Sequence, residues 1–269
     1  MRILALTAII VTSPMPASAQ SITVHKDCPE CPKMVKVIIN RDSEKGSTKN
    51  SYQLLVGQFE VSWREYISAV EMSNCPLPTV STPQGRAPYS ASISTAKDDL
   101  PVTGLGRKGI ECYLEWLNSQ TNRRYRLPTS LEWIQFASGG SSEKFPWGNT
   151  IGFNNAIVHG AFDHSICKTV PISDQRAGFA YFSGCFKPNQ YGLYDVIGNV
   201  GEITSDTAEV DPVQNDPNGR PRIVLSTVRG GNIFFWPGLS LDYVSQQILE
   251  SYSDGLRVVS EIQETSNAH

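Results

Sequence analysis

Charge and histidine are both scarce in this 269-residue chain: 18% of its residues are Asp, Glu, Lys or Arg, the formal net charge is −3, and there are four histidines. So weak a field of either sign leaves no footprint for nucleic acid. No apolar run reaches the roughly 20 residues that a bilayer-spanning helix needs,. Cys28-Pro-Glu-Cys31 is a single Cys-x-x-Cys with no second to complete a tetrahedral zinc set,. No Ser-His-Asp arrangement, phosphate-cradling glycine loop or nucleotide-binding pattern is present. Nor is there an internal repeat, a low-complexity run or an obvious linker. What remains is one turn-rich globular unit, with Pro 17 and Gly 21,.

The first residues do have a pattern. One positive charge at Arg2 precedes a short apolar core, then Ala17-Ser-Ala19, a small-x-small cleavage site,. This predicts a signal peptide over 1–19, a mature chain beginning near Gln20, and export to a periplasm or beyond. Export makes the six cysteines disulfide candidates. Cys167 and Cys185 flank a Gly-rich insertion and make a pair. Cys28 and Cys31 form a structural bridge, internal or to Cys75. Cys112, inside a helical pattern, reads as buried and free,.

Two apolar runs, Met34 to Ile39 and Tyr52 to Val56, predict paired strands across a polar turn,. Ser62 with Glu65 three residues on forms a capping box, followed by Trp63, Tyr66, Ile67 and Val70 on one helical face,. Residues 73–100 predict an irregular loop. A second helix is expected over Arg107 to Gln120. A third is capped by Thr129 with Glu132, carries Trp133 and Phe136 inward, and is stopped by Gly139-Gly140,. Segments 224–228 and 256–259 predict closing strands.

Residues 189–206 have little periodicity but much turn chemistry and acid: Gly192 and Gly198, with Asp195, Asn199, Glu202 and Asp206 between apolar residues. That composition suits a loop built around a hard cation, since calcium takes carboxylates and backbone carbonyls in flexible geometry. A tight turn with solvated acids is the other reading.

Four blocks in order carry a resemblance: 125–133 (Tyr-Arg-Leu-Pro-Thr-Ser-Leu-Glu-Trp), 145–149 (Phe-Pro-Trp-Gly-Asn), 191–202 (Tyr-Gly-Leu-Tyr-Asp-Val-Ile-Gly-Asn-Val-Gly-Glu), and Val228-Arg-Gly-Gly231 ending at Gly255-Leu-Arg-Val258. With them the chain resembles the formylglycine-generating enzyme (sulfatase-modifying factor) domain over about 55–260, in a divergent exported form. The N-terminal strands over 20–54 depart from the family pattern, and 263–269 form a tail. The resemblance implies an α+β, C-type-lectin-like fold in a single domain, low in regular structure and held partly by calcium. It implies one calcium bound by the side chains of Asp195 and Glu202 and the backbone oxygens of Gly198 and Val200. A second would begin at Asn155-Ala156, with its remaining ligands in the segment altered by the Cys167–Cys185 insertion.

The family's oxidase chemistry uses two cysteines after the Arg-Gly-Gly block to bind copper and a substrate thiol. Here Phe235 and Ser240 stand at those positions, and no cysteine lies beyond Cys185. Phenylalanine cannot ligate Cu(I), which prefers soft thiolates, so no copper is expected. The tryptophans that flank the family's glutamate are replaced by Gly201 and Ile203. His159, Asp163 and His164 supply the residue types of a non-haem iron site, though solvated loop histidines are the simpler reading.

In place of the cysteines stand Asn232, Phe234, Phe235, Trp236 and Ser240, with Leu239 and Tyr243 close by. Aromatics anchor ligands through large burial with few rotors, although the same residues could pack inward and replace lost core. The leading expectation is an FGE-like protein whose groove recognises a periplasmic protein or peptide-like partner during maturation. The alternatives are a cysteine-independent oxidoreductase acting on a peptide or siderophore-like metabolite, and a calcium-stabilised lectin-like module.

Overall fold

A computed structural model describes residues 22–41, 51–82, 85–91, 96–177, 179–210, 223–234, 240–247, 251 and 253–262. The predicted leader, the 263–269 tail, and Phe235, Trp236 and Leu239 lie outside the described residues. The described residues form two main sheets, a small hairpin and three helices.

The N-terminal runs form β1 (Val24–His25), β2 (Met34–Asn40) and β3 (Ser51–Gly57). In β2, Val35, Val37 and Ile39 are buried while Lys36 and Ile38 are exposed, the period-two alternation of a half-buried strand,. These strands join β6 (Tyr125–Arg126) and β11 (Val259–Glu261) in a five-stranded antiparallel sheet ordered β1-β2-β3-β11-β6. The divergent start of the chain is thus an integral part of the domain's main sheet.

The second sheet, ordered β10-β7-β8-β9, comprises β7 (Gly201–Val210), β8 (Ile223–Arg229), β9 (Val244–Gln247) and β10 (Asp254–Leu256). β10 runs parallel to β7 and the other pairs are antiparallel. The expected single strand over 256–259 is therefore two strands in different sheets, and Arg257 sits at the crossing. The expected loop over 73–100 contains a hairpin, β4 (Thr79–Thr82) and β5 (Gly85–Pro88).

α1 (Trp63–Ser73) and α3 (Ser130–Ser138) begin with reciprocal capping boxes at Ser62/Glu65 and Thr129/Glu132,. α3 ends at Gly139 in the left-handed conformation, which suits a residue without a Cβ,. α2 spans Arg107–Gln120. α1 and α2 share a core that includes Trp63, Tyr66, Tyr113 and Leu117, while α3 packs Trp133 and Phe136 against Val35, Leu54 and Val56. Each such large apolar side chain contributes roughly 1.5–3 kcal/mol on burial.

All six cysteines form disulfides: Cys28–Cys31, Cys75–Cys112 and Cys167–Cys185. Cys112 is not free. It faces Cys75 just past the end of α1, so the bridge ties α1 to α2 and leaves the Cys-x-x-Cys closed on itself. Among the described residues, no helix is long and apolar enough to cross a membrane.

Candidate functional site

The stretch 189–206 turns out to be half loop and half strand. Asp195, Gly198 and Asn199 adopt positive φ (53°, 80° and 59°), and β7 begins at Gly201. Gly198 is required where it stands, because an added Cβ would lie 2.4 Å from the Ile157 carbonyl oxygen,.

Glu202, second residue of β7, enters the core and meets Arg257 where the two sheets cross. Arg257 Nε donates to both carboxylate oxygens at 3.0 Å, and Nη2 to Oε1 at 2.6 Å. Trp133 Nε1 donates to Oε2 at 2.7 Å. The rest of the guanidinium caps backbone carbonyls: Nη1 on Gly57 at 2.8 Å and Nη2 on Tyr194 at 2.7 Å. Arg257 is wholly buried and Glu202 nearly so.

Two more acids share this interior. Asp195 Oδ2 accepts from the Gly184 amide at 2.5 Å, and Glu60 accepts from Ser183 Oγ at 2.9 Å and Asn199 Nδ2 at 3.2 Å. Burial pushes the Asp195 carboxyl up to about 6, against the pull of the Gly184 amide and Arg257,. Burial, then repulsion from Asp195, holds Glu60 well above the usual carboxylate range. One guanidinium thus serves three acids.

A carboxylate offers about four lone-pair sites, and three N–H groups point at that of Glu202: Arg257 Nε–H, shared between both oxygens, Arg257 Nη2–H and Trp133 Nε1–H. Of the set Asp195, Gly198, Val200 and Glu202, the Glu202 carboxylate thus faces Arg257 and Trp133, and Asp195 Oδ2 faces the Gly184 amide. At Asn155-Ala156, Asn155 Nδ2 donates to the Ile151 carbonyl at 3.0 Å and the Ala156 carbonyl accepts from Val158 at 3.1 Å. That pair serves its own turn.

His159, Asp163 and His164 are not brought together around a metal. His164 Nδ1 lies 2.6 Å from Tyr181 OH, and Asp163 accepts from the Ser165 amide and hydroxyl. Among the described residues no group of three or more His, Cys, Asp or Glu side chains is placed to hold a metal ion.

Asn232, of the expected groove, is buried and donates to Ser253 Oγ at 2.9 Å and Asp254 Oδ1 at 3.4 Å, while its Oδ1 accepts from the Phe234 amide. Asp254 was not foreseen. Burial raises its carboxyl to about 6, opposed by hydrogen bonds from Ser251 and Asn232. It also explains Gly201: a Cβ there would lie 2.5 Å from Asp254 Oδ1 and 2.6 Å from Val228 Cγ1. The space beside β7 belongs to Asp254, so a tryptophan at 201 is excluded. Phe234 is 54% exposed and meets Phe179 edge to face, with centroids 6.0 Å apart, so this aromatic does not replace core,. Ser240 is half-buried, and its carbonyl accepts from the Tyr243 amide.

Among the described residues, one antiparallel and one mixed sheet meeting at a buried arginine, three helices and long loops define an α+β protein of the FGE-sulfatase fold. PvdO from Pseudomonas aeruginosa superposes with a TM-score of 0.60 at 22% identity, covering 89% of this chain and 98% of that one. Treponema denticola variable protein 1 does so with 0.56 at 17%, covering 90% and 99%. More particularly, residues 39–262 match the sulfatase-modifying factor enzyme 1-like domain, and the chain belongs to that family.

Among curated relatives, the formylglycine-generating enzyme of Thermomonospora curvata is 27% identical over 166 residues, 55% of this chain and 49% of that protein. The inactive C-alpha-formylglycine-generating enzyme 2 of Mus musculus is 30% identical over 152 residues, 51% of this chain and 45% of that protein. The chain therefore matches about half the length of these relatives.

Proposed function

We propose that this protein is an exported, FGE-like recognition protein that binds a periplasmic protein or peptide-like partner during its maturation, without turning cysteine into formylglycine. One observation carries the reading. Capture of a substrate thiol and ligation of Cu(I) both need free cysteines, and all six cysteines here are paired in disulfides,. None of them lies in the stretch after Gly231, where Phe235 and Ser240 stand at the positions of the family's pair. An inactive relative in the same family is consistent with this loss.

The recognising surface is the one around Phe234 and Phe179, with Asn232 and Asp254 holding the Phe234 turn from below. Phe234 supplies apolar area, and its exposure leaves that area free for a partner side chain,.

Metal analysis of the purified full chain tests the reading. Copper or iron at one equivalent would favour an oxidoreductase acting on a peptide or siderophore-like metabolite; trace metal only is expected. Export is tested by fractionation and N-terminal sequencing, with the mature chain expected to begin near Gln20.

A further inference from the structure

Glu60, to which Asn199 Nδ2 donates, floors a cavity of ≈ 350 Å³ walled by Phe59, Pro29 and Pro32. Its volume falls in the range of about 300–1,000 Å³ that small-molecule sites occupy. Its walls are preorganised. The Cys28–Cys31 bridge closes the turn that carries Pro29, and Phe59 is held by stacking on Tyr194 with centroids 4.7 Å apart.

The charges in this cavity are sorted by depth. Glu60 is 2% exposed and its carboxylate has only neutral donors in contact, Ser183 Oγ on one oxygen and Asn199 Nδ2 on the other. Each oxygen keeps about one lone-pair site, and no cation lies within ion-pair distance among the described residues. Lys26 and Lys33 stand exposed at the mouth, also without an ion-pair partner among the described residues. The other mouth charges are Glu65, which accepts from the Ser62 amide and feels the Lys26 charge, Arg64 and Asp99, paired with each other at 3.0 Å, and Glu30.

A buried carboxyl with free acceptor sites below and exposed lysines above, separated by apolar walls, match a ligand carrying both charges. We propose that this cavity binds a free α-amino acid with an apolar side chain. Its ammonium reaches Glu60, its carboxylate meets Lys26 and Lys33, and its side chain lies against Phe59 and the prolines. A simple cation would meet the lysines first, and a simple anion would find Glu60 below it, so neither suits the site as well. The site is separate from the Phe234 surface and does not depend on the function proposed for it.

The test is calorimetric titration of the full chain with L-leucine, L-methionine and L-phenylalanine, each beside its N-acetyl derivative and its methyl ester. At least one free amino acid should bind, with its N-acetyl and ester forms weaker by about tenfold or more, the loss of one charge-assisted contact. Lys26→Ser/Lys33→Ser, which changes only exposed side chains, should weaken the free amino acid about tenfold and leave the methyl ester unchanged. Glu60→Gln should abolish binding, with folding checked by circular dichroism. Absence of binding by all three amino acids at millimolar concentration, equal binding of the N-acetyl form, or indifference to the lysine substitutions would each overturn the proposal.

Discussion

Replacing either partner of the buried Arg257–Glu202 pair should destabilise the protein unequally. Breaking a buried pair by removing one member costs about 3–5 kcal/mol, because the other charge stays behind uncompensated. In Glu202→Gln the guanidinium keeps its carbonyl acceptors at Gly57 and Tyr194 and still has the Asp195 and Glu60 carboxyls nearby. The amide oxygen can also still accept from Trp133 Nε1. The cost should therefore fall near the low end, about 3 kcal/mol, or about 6–12 °C in Tm for a domain of this size. Arg257→Met removes the one cation serving three acids and orphans two carbonyls, so its cost should reach about 5 kcal/mol or more. The assay is urea unfolding at neutral pH, with the double variant closing the cycle and expected to cost less than the sum. A cost under about 1 kcal/mol for either variant, or a milder Arg257→Met than Glu202→Gln, would refute this reading of the core.

Other outcomes follow from the same structure. Excess chelator should leave Tm unchanged in the native protein and in Glu202→Gln alike; a fall in the native protein would restore a structural cation. Asp254 has a folded pKa near 6, above its unfolded value, so it favours the native state at low pH. That contribution is complete below the unfolded pKa near 4 and is lost as pH rises through 6,. Asp254→Asn should consequently gain about 2–3 kcal/mol relative to native between pH 4 and pH 7, and parallel stability–pH curves would contradict this. Removing the Cys75–Cys112 bridge, which spans a sequence separation of 37, should cost about 2–4 kcal/mol by denaturant melt. Loss of neither stability nor the α1–α2 contact would show that the bridge is dispensable.

What was legible in the sequence was local. Both capping boxes and α2 stand where residue spacing placed them, because a cap and a 3.6-residue period are written within a few positions. β7 was missed at its start because Gly201 to Thr204 are all buried, hiding the alternation of a half-exposed strand,. The β4–β5 hairpin was hidden by its Ser, Thr, Pro and Gly content. Glu202 and Arg257 were both noticed in motifs, yet their union spans 55 residues, and no local pattern encodes it. Spacing offered Glu202 as a candidate cation ligand and the resemblance named it one; only the fold shows the guanidinium that it meets. Glu60 has one readable signal, an acid flanked on both sides by large apolar residues, Phe59 and Val61. Cys112 was misjudged because a helical pattern shows which face is buried but not what waits there.

The central claim, an FGE-like groove without formylglycine chemistry, is tested most directly by turnover. The purified full chain, supplied with Cu(I) and oxygen, is incubated with a cysteine-bearing peptide that the Thermomonospora curvata enzyme converts, and the peptide is followed by mass spectrometry. No aldehyde product beyond the enzyme-free background is predicted, in parallel with complete conversion by that relative. Catalytic conversion by this chain, more than one peptide per protein molecule, would contradict the account.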